Sequence, residues 1–283
     1  MSAVELSAVE LSAGFSEPPS QTSSGEPRDT LSALRRAMAG IAAARPGEEA
    51  RTALGIGSLD RALCGGLACG ALHEVGPAAP GAGGAATGFT VALAVLALRR
   101  GGQAIWIRPD YAAAETGELY GPGFAMLGLP LQRLVILKVP RPGDGLWAME
   151  EALQCRSAGV VVTELMGDDG DLTATRRLAL AAGAGGGLGL ILRHQPCRAA
   201  NAAMTRWEVA SASGERDGFG GLALPTFAVS LVKNRHGPTG QWRLSWDHHE
   251  RAFVPALTAA LPRPVAATPF DRSSRPQPLA RTG

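Results

Sequence analysis

Lysine is almost missing from this chain. Lys138 and Lys233 are the only two, and arginine supplies the rest of the 27 basic residues against 25 acidic ones. A formal net charge of +2 excludes the broadly basic chains that coat nucleic acid through charge alone. The shortage of lysine accompanies an abundance of Ala, Gly, Pro and Arg, a coding bias without functional content.

Cysteine is also scarce. Cys64, Cys69, Cys155 and Cys197 form no C-x-x-C pair, which argues for reduced thiols in a cytosolic protein. Long apolar runs are absent: the longest, Phe89 to Leu98, is half of the roughly 20 residues a bilayer-spanning helix needs. No basic stretch followed by an apolar run opens the chain, so a secretory signal is not expected. The expected location is cytoplasmic, with no membrane contact.

What is present divides into four zones. Residues 1–28 carry a duplicated SAVEL and then Pro, Ser, Gly and Thr, a composition expected to be disordered. Residues 29–50 hold a helix and linker. Asp29 or Thr30 caps it, and Leu31, Leu34, Met38 and Ile41 share one face as far as Arg45. Residues 51–254 form the organised core. Residues 255–283 are a Pro/Arg-rich tail, with Arg263, Arg272, Arg275 and Arg281 against Asp271, again expected to be disordered.

Within the core, continuous apolar segments alternate with helical ones. Strands are predicted at Ala71–Val75, Ala104–Ile107, Leu134–Val139, Val160–Thr163 and Leu188–Leu192. Helices are predicted at Thr87–Arg100, Ala112–Leu127, Leu146–Arg156 and Leu172–Ala182, with Asp171 capping the last. That alternation indicates an α/β fold with a mostly parallel sheet covered on both faces. After Ala200, RWEVASAS, TFAVSLVKN and QWRLSWD alternate polar and apolar residues with no helix between them. They read as antiparallel strands extending the sheet, with RHGPTG as a turn.

The segment ALHEVGPAAPGAGGAATGFTVALAV, Ala71 to Val95, has the order strand, glycine-rich turn, helix. Gly76 and Gly81 stand at the spacing of the phosphate-binding motif G-x-x-x-x-G-K-[ST], but Ala82 fills the lysine position and Gly83 the Ser/Thr position. Backbone N–H groups could still meet an anion, yet the group that grips the outer phosphates and the magnesium ligand are both gone. A hydrogen bond to a charged group contributes about 1.5–3 kcal/mol, so losing the lysine weakens binding about tenfold to a hundredfold. The expectation is weak ATP or ADP binding, no required cofactor and no fast hydrolysis. Gly81-Ala-Gly83-Gly-Ala-Ala86 also fits the dinucleotide fingerprint G-x-G-x-x-[GA]. A dinucleotide-binding oxidoreductase is therefore the third-ranked reading.

The order of features from Leu54 to Phe253 resembles the RecA-type ATPase core, and within it the ImuA family of accessory proteins in bacterial damage-induced mutagenesis. IGSLDRALCGGLACGALHEV is similar to the lead-in to the first RecA strand. IWIRPDY resembles the strand that precedes the catalytic glutamate, with Asp110 in its place. GVVVTEL resembles the Walker B strand, with Glu164 at the aspartate position, and GLILRHQ the strand ending in a nucleotide-sensing polar residue, here Gln195. AAMTRWEV and KNRHGPTGQWRLSWDHHERAF look characteristic of the ImuA family itself. KNRHGPTG also resembles the K-x-R-x-G element with which RadA-like and DnaB-like proteins reach a neighbour's nucleotide, giving Lys233 and Arg235 as trans-finger candidates. A solvent-exposed hairpin turn is the favoured reading of that element.

The resemblance implies a RecA-like P-loop core with a degenerate Walker A motif and no confident catalytic residue. It implies an adaptor in SOS-induced error-prone translesion synthesis and DNA repair. The expected partners are an ImuB-type polymerase homologue, an error-prone DnaE-type polymerase indirectly, and RecA, with self-association a further option. It also implies association with the nucleoid during DNA damage. The two segments that correspond to RecA's DNA-binding loops are short. One, MGDDGDLTATRR, is acidic at Asp168, Asp169 and Asp171, so direct DNA binding is expected to be weak or absent. The alternative is a divergent active RecA/RadA-like ATPase that uses Asp110, Glu164 and the Lys233/Arg235 pair.

No metal site is expected. Adjacent His248 and His249 in an extended strand would point to opposite faces. His73 and His194, near the cleft, read as hydrogen-bonded structural residues, and Trp207, Trp242 and Trp246 as packing on the late strands.

Overall fold

A computed structural model describes residues 50–166, 169–214 and 224–256. The leader, the helix expected from Asp29 to Arg45, Asp168 and the tail beyond Ala256 lie outside the described residues.

A two-stranded ribbon, β1 (Arg51–Thr52) with β2 (Leu67–Ala68), brackets the short helix α1 (Gly57–Ala62). The main sheet then begins with β3 (Ala71–Pro77), followed by α2 (Gly83–Leu98) and β4 (Gln103–Pro109). Next come α3 (Asp110–Thr116), α4 (Gly121–Met126), a 3-10 turn at Leu131–Arg133 and β5 (Leu134–Val139). The α/β alternation closes with α5 (Pro142–Leu153), β6 (Ala158–Leu165), α6 (Leu172–Gly185) and β7 (Leu188–Arg193). Four strands complete the chain: β8 (Thr205–Ser211), β9 (Thr226–Asn234), β10 (Gly240–Asp247) and β11 (Ala252–Pro255).

Among the described residues the nine-stranded sheet has the order β11-β10-β9-β8-β3-β7-β6-β4-β5. The strands from β8 to β5 run parallel, and β9, β10 and β11 add on antiparallel. The expected fold class is therefore observed, with one correction. RWEVASAS, expected to be antiparallel, forms β8 and runs parallel to β3, because the connection from Arg193 to Thr205 returns the chain to the other end of the sheet before the strand begins. The antiparallel extension starts at β9. β3, β6 and β7 are buried along their whole length, which is why they read as continuous apolar runs and not as alternating ones.

Two apolar layers sandwich the sheet. One holds α2, with Trp106, Trp207, Trp246, Phe227 and Phe253. Phe89 of α2 packs against Trp207, Phe227 and Phe253, with ring centroids 5.4–5.9 Å apart. The other layer holds Met149 and Leu153 of α5 and Leu178, Ala181 and Ala182 of α6. α2 is apolar around its circumference, and a helix of that kind must be enclosed on all sides. Phe89 and every residue from Thr90 to Leu98 are buried.

The structure changes several boundaries. α2 starts at Gly83, four residues before the predicted Thr87, because the glycines that weaken helix propensity also open the first turn. The single helix predicted over Ala112–Leu127 is two helices. Gly117, at φ +78° and ψ 175°, breaks it, in a region essentially reserved for glycine. Asp171 caps α6 as expected, its carboxylate accepting from the Ala174 N–H at 2.7 Å. β1, β2 and β11 carry too few residues to give a periodic signal and were not anticipated.

Candidate functional site

The C-terminal ends of β3, β4, β6 and β7 meet the start of α2 around a cavity of about 680 Å³. Gly81, Gly83, Gly84, Thr87, Gly88 and Val91 form one wall, and the α3–α4 connection from Glu115 to Tyr120 forms the opposite one. Arg108, Glu164, Met166, His194 and Gln195 close the base. Parallel α/β sheets place ligands at this end of their strands.

β3 delivers the glycine-rich turn. Ala78 N–H donates to Val209 O at 2.9 Å, fixing the exit from the strand, and Gly81 turns the chain at φ +86°. The sixteen-residue α2 follows, its N-terminal dipole directed at the cavity. A Cβ at Gly81 or Gly84 would meet nothing within 4 Å, so the turn stands open. Gly76 has a different role. It is buried, and a Cβ there would lie 3.3 Å from Arg193 Cβ, so its smallness serves sheet packing.

The base of the cavity is tied together around Glu164, which is 1% exposed. Its Oε1 accepts from Trp106 Nε1 at 2.6 Å and from Arg108 Nη1 at 3.1 Å. Its Oε2 accepts from His194 Nε2 at 2.8 Å. The Arg108 guanidinium is 3% exposed and donates further to Ala112 O, Thr116 Oγ1 and Gly117 O. Its charge is thus matched by Glu164, and it holds the break between α3 and α4 in place.

A second buried ion pair lies on the opposite face of the sheet. Glu74 is ion-paired with Arg206, whose Nε lies 2.7 Å away, and with Arg193, whose Nε lies 3.4 Å away, and Asn201 Nδ2 donates a hydrogen bond to it. Arg193 Nη1 reaches Asp169 O at 2.7 Å. Lys233 joins this cluster through Asn201 O at 2.7 Å and Asn201 Oδ1 at 3.0 Å. Burial, then the neighbouring Arg235 and Arg206, push the Lys233 ammonium below its ordinary pKa.

The residues predicted from the sequence therefore separate. Gly81, Gly83, Glu164 and Gln195 line one cavity. Gly76 lies beneath the turn, and Ala82 is the residue preceding α2. Asp110 begins α3, exposed and outside the cavity lining. Lys233 and Arg235 lie at the far end of the sheet. Arg235 N–H bonds Met204 O, and Met204 N–H bonds Leu72 O, about 16 Å along the strand from Pro77. They cannot reach this chain's own glycine turn. Arg235 is exposed, whereas Lys233 is half-buried in the Glu74 cluster.

His73 is structural, with both ring nitrogens bonded: Nε2 to Ala68 O at 3.0 Å and Nδ1 to Thr205 Oγ1 at 2.7 Å. A carbonyl only accepts, so Nε2 carries the proton and Nδ1 accepts from the Thr205 hydroxyl, which in turn accepts from Trp207 Nε1 at 2.8 Å. Burial lowers the His73 pKa to about 4. His194, by contrast, lines the cavity. His248 and His249 follow β10 in a turn, with ring centroids 4.1 Å apart, so the opposite-face expectation fails because the chain is not extended there. Among the described residues no cluster of His, Cys, Asp or Glu could hold a metal ion. The four cysteines are free thiols. No helix among the described residues is long and apolar enough to cross a membrane.

Sequence reasoning missed Trp106, Arg108, Glu74, Arg193, Arg206 and Asn201. The signal was there: ALHEV, IWIRP, VVVTEL and GLILR each place a charged residue inside a core strand. Such a residue requires a partner.

The lining fits a magnesium triphosphate poorly. The one guanidinium among its described lining residues is matched by Glu164, while Glu115 and Glu118 add negative charge. Glu118 is paired outward with Lys138 at 2.9 Å. What favours an anion is the open backbone at Gly81–Gly84 and the positive end of α2.

No protein-family model matches the chain. It is similar to Protein ImuA of Caulobacter vibrioides strain NA1000 / CB15N, 33% identical over 198 residues, which covers 64% of this chain and 76% of the relative. Protein ImuA of C. vibrioides strain ATCC 19089 / CIP 103742 / CB 15 aligns with the same identity and coverage. At that identity, over three quarters of the relative's length, the chain belongs to the ImuA family.

Proposed function

We propose that this protein is a non-catalytic accessory factor of SOS-induced, error-prone translesion synthesis, built on a RecA-like core and acting through protein–protein contacts. Its partners in this reading are an ImuB-type polymerase homologue and RecA, with an error-prone DnaE-type polymerase engaged indirectly. Membership of the ImuA family supports the accessory role.

The observation that carries the non-catalytic part is the Glu164 cross-tie. The carboxylate at the Walker B position accepts three hydrogen bonds from within the protein. The guanidinium in the cavity is committed to that same carboxylate. Neither group is free to hold a metal ion or a transferring phosphate, and Ala82 and Gly83 offer no replacement. The open glycine turn favours a second reading, a nucleotide-binding and slowly hydrolysing protein.

Calorimetry with Mg-ATP and Mg-ADP separates the two, with Ala82→Lys/Gly83→Thr as internal standard. The adaptor reading expects no saturable magnesium-dependent turnover in the natural protein and a gain in ATP affinity of about tenfold to a hundredfold in the double variant. It also expects capture of the ImuB-type partner to be unchanged by nucleotide depletion. Saturable turnover in the natural protein, or capture that requires ATP, overturns it.

A further inference from the structure

The two edges of the sheet are unlike. β11 is a four-residue strand, whereas the opposite edge is β5, LVILKV, six residues with no proline and one charge. Among the described residues β5 pairs only with β4, so half of its backbone N–H and C=O groups face away from the sheet. Sheet edges are ordinarily guarded by charge, proline or a bulge. Here the one guard is Lys138, and Glu118 neutralises it at 2.9 Å.

Exposed apolar side chains gather on the same margin. Register pairs Ala104 with Leu134, Trp106 with Ile136 and Arg108 with Lys138, so Leu134, Ile136 and Lys138 share the face of the sheet that carries α2 and α4. Phe124 of α4 packs on Trp106 at 4.9 Å, which places α4 over this margin, and Leu131 of the 3-10 turn abuts Gly121. Ile136 is 46% exposed, Leu131 39%, Met126 72% and Tyr120 69%. Four of the seven large apolar residues exposed among those described thus fall between positions 120 and 136.

We infer that β5 is a self-association edge, where a second copy of this chain adds its own β5 antiparallel about a two-fold axis perpendicular to the sheet. Directly opposed residues of an antiparallel pair lie on the same face, and a perpendicular two-fold keeps each face with itself. Only registers that oppose a residue to its own equivalent, or to one an even number of positions away, satisfy both conditions. Centring on the exposed residue opposes Ile136 to Ile136, Leu134 to Lys138 and Val135 to Leu137. The apolar layers on both faces then continue across the axis. The two Lys138 side chains stand about 13 Å apart along the strands, beyond the roughly 8–10 Å over which exposed charges interact at physiological salt. Each also keeps its Glu118, so the edge meets a copy of itself without opposing like charges.

The surface differs from the Lys233–Gly240 hairpin, and the inference does not depend on the accessory role. Sedimentation of the full-length protein tests it. A concentration-dependent monomer–dimer equilibrium is expected, and Ile136→Glu, which removes two apolar side chains from the seam and sets two carboxylates against each other on the axis, raises its dissociation constant about a hundredfold. Leu180→Glu, on the 75%-exposed side chain of α6, leaves it unchanged. As a gain-of-signal check, Ile136→Cys crosslinks to its own copy on mild oxidation, while Val232→Cys does not. A protein that stays monomeric at about 100 μM overturns the inference, as does a dimer indifferent to Ile136→Glu. Hydrogen exchange supplies the remaining outcome. Slow exchange of the outward β5 amides in dilute monomer means a segment of the same chain covers the edge, and that also overturns it.

Discussion

Glu164 and His73 show how single residues in this protein become fixed. Both are buried, and each has every strong polar atom matched. Removing the Glu164 carboxylate leaves the Arg108 guanidinium buried without its counter-charge and the Trp106 indole N–H buried without its acceptor. Breaking a buried ion pair from one side costs about 3–5 kcal/mol. Glu164→Ala is therefore expected to lower unfolding free energy by about that amount in urea titrations, with Glu164→Gln falling between it and the natural protein. A purely catalytic or metal-binding carboxylate would leave stability nearly unchanged.

His73 gives a pH signature. Burial holds its folded-state pKa at about 4 against an ordinary 6.5. Between these values the unfolded chain binds a proton that the folded chain refuses, so stability rises with pH across the window and falls as pH drops from 6.5 toward 4. The full effect is about 3 kcal/mol. The difference in urea midpoint between the natural protein and His73→Gln, followed from pH 7 to pH 4, isolates it from the carboxylates. The gap is expected to shrink as pH falls.

At the scale of elements, the α3–α4 break is the feature that makes the cavity. A continuous helix from Ala112 to Leu127 would not present the segment from Glu115 to Tyr120 as a wall facing Gly81–Gly84. Gly117 supplies the break, and Arg108 secures it through Gly117 O. A Cβ at Gly117 would meet nothing within 4 Å, so Gly117→Ala acts through backbone strain alone. The expected loss is about 1–3 kcal/mol, read as a lower thermal midpoint. Gly101, also at positive φ with open surroundings but remote from the cavity, is the comparison site. Gly117→Ala alone is expected to alter the fluorescence of Trp106, which packs on Phe124 of α4.

At the scale of the molecule, charge placement separates the two faces of one sheet. Arg108 with Glu164 sits on the α2 face, and Arg193 and Arg206 with Glu74 on the α6 face, each pair joining strands that are not consecutive in the chain. The pairs couple β4 to β6 and β3 to both of its neighbours, across the part of the sheet from which the glycine turn emerges. A scaffold held in this way suits a protein that presents fixed surfaces, and four of the seven exposed large apolar side chains among the described residues lie about the margin of β5.

The sequence alone determined the α/β class, the five parallel strands of the alternating region, the glycine-rich turn before α2 and the presence of the later strands, though not that the first of them runs parallel to β3. These rest on local periodicity and on short-range glycine spacing, both of which a linear reading captures. TFAVSLVKN became β9 residue for residue, because polar and apolar side chains alternate along it. Only the tertiary structure decided what Glu164, Arg108 and Lys233 do. Arg108 and Glu164 are 56 residues apart in the chain, and Glu74 and Arg193 are 119 apart. A charged residue in a core strand announces that a partner exists, but strand order selects the partner, and that order follows from burying both faces of the sheet at once.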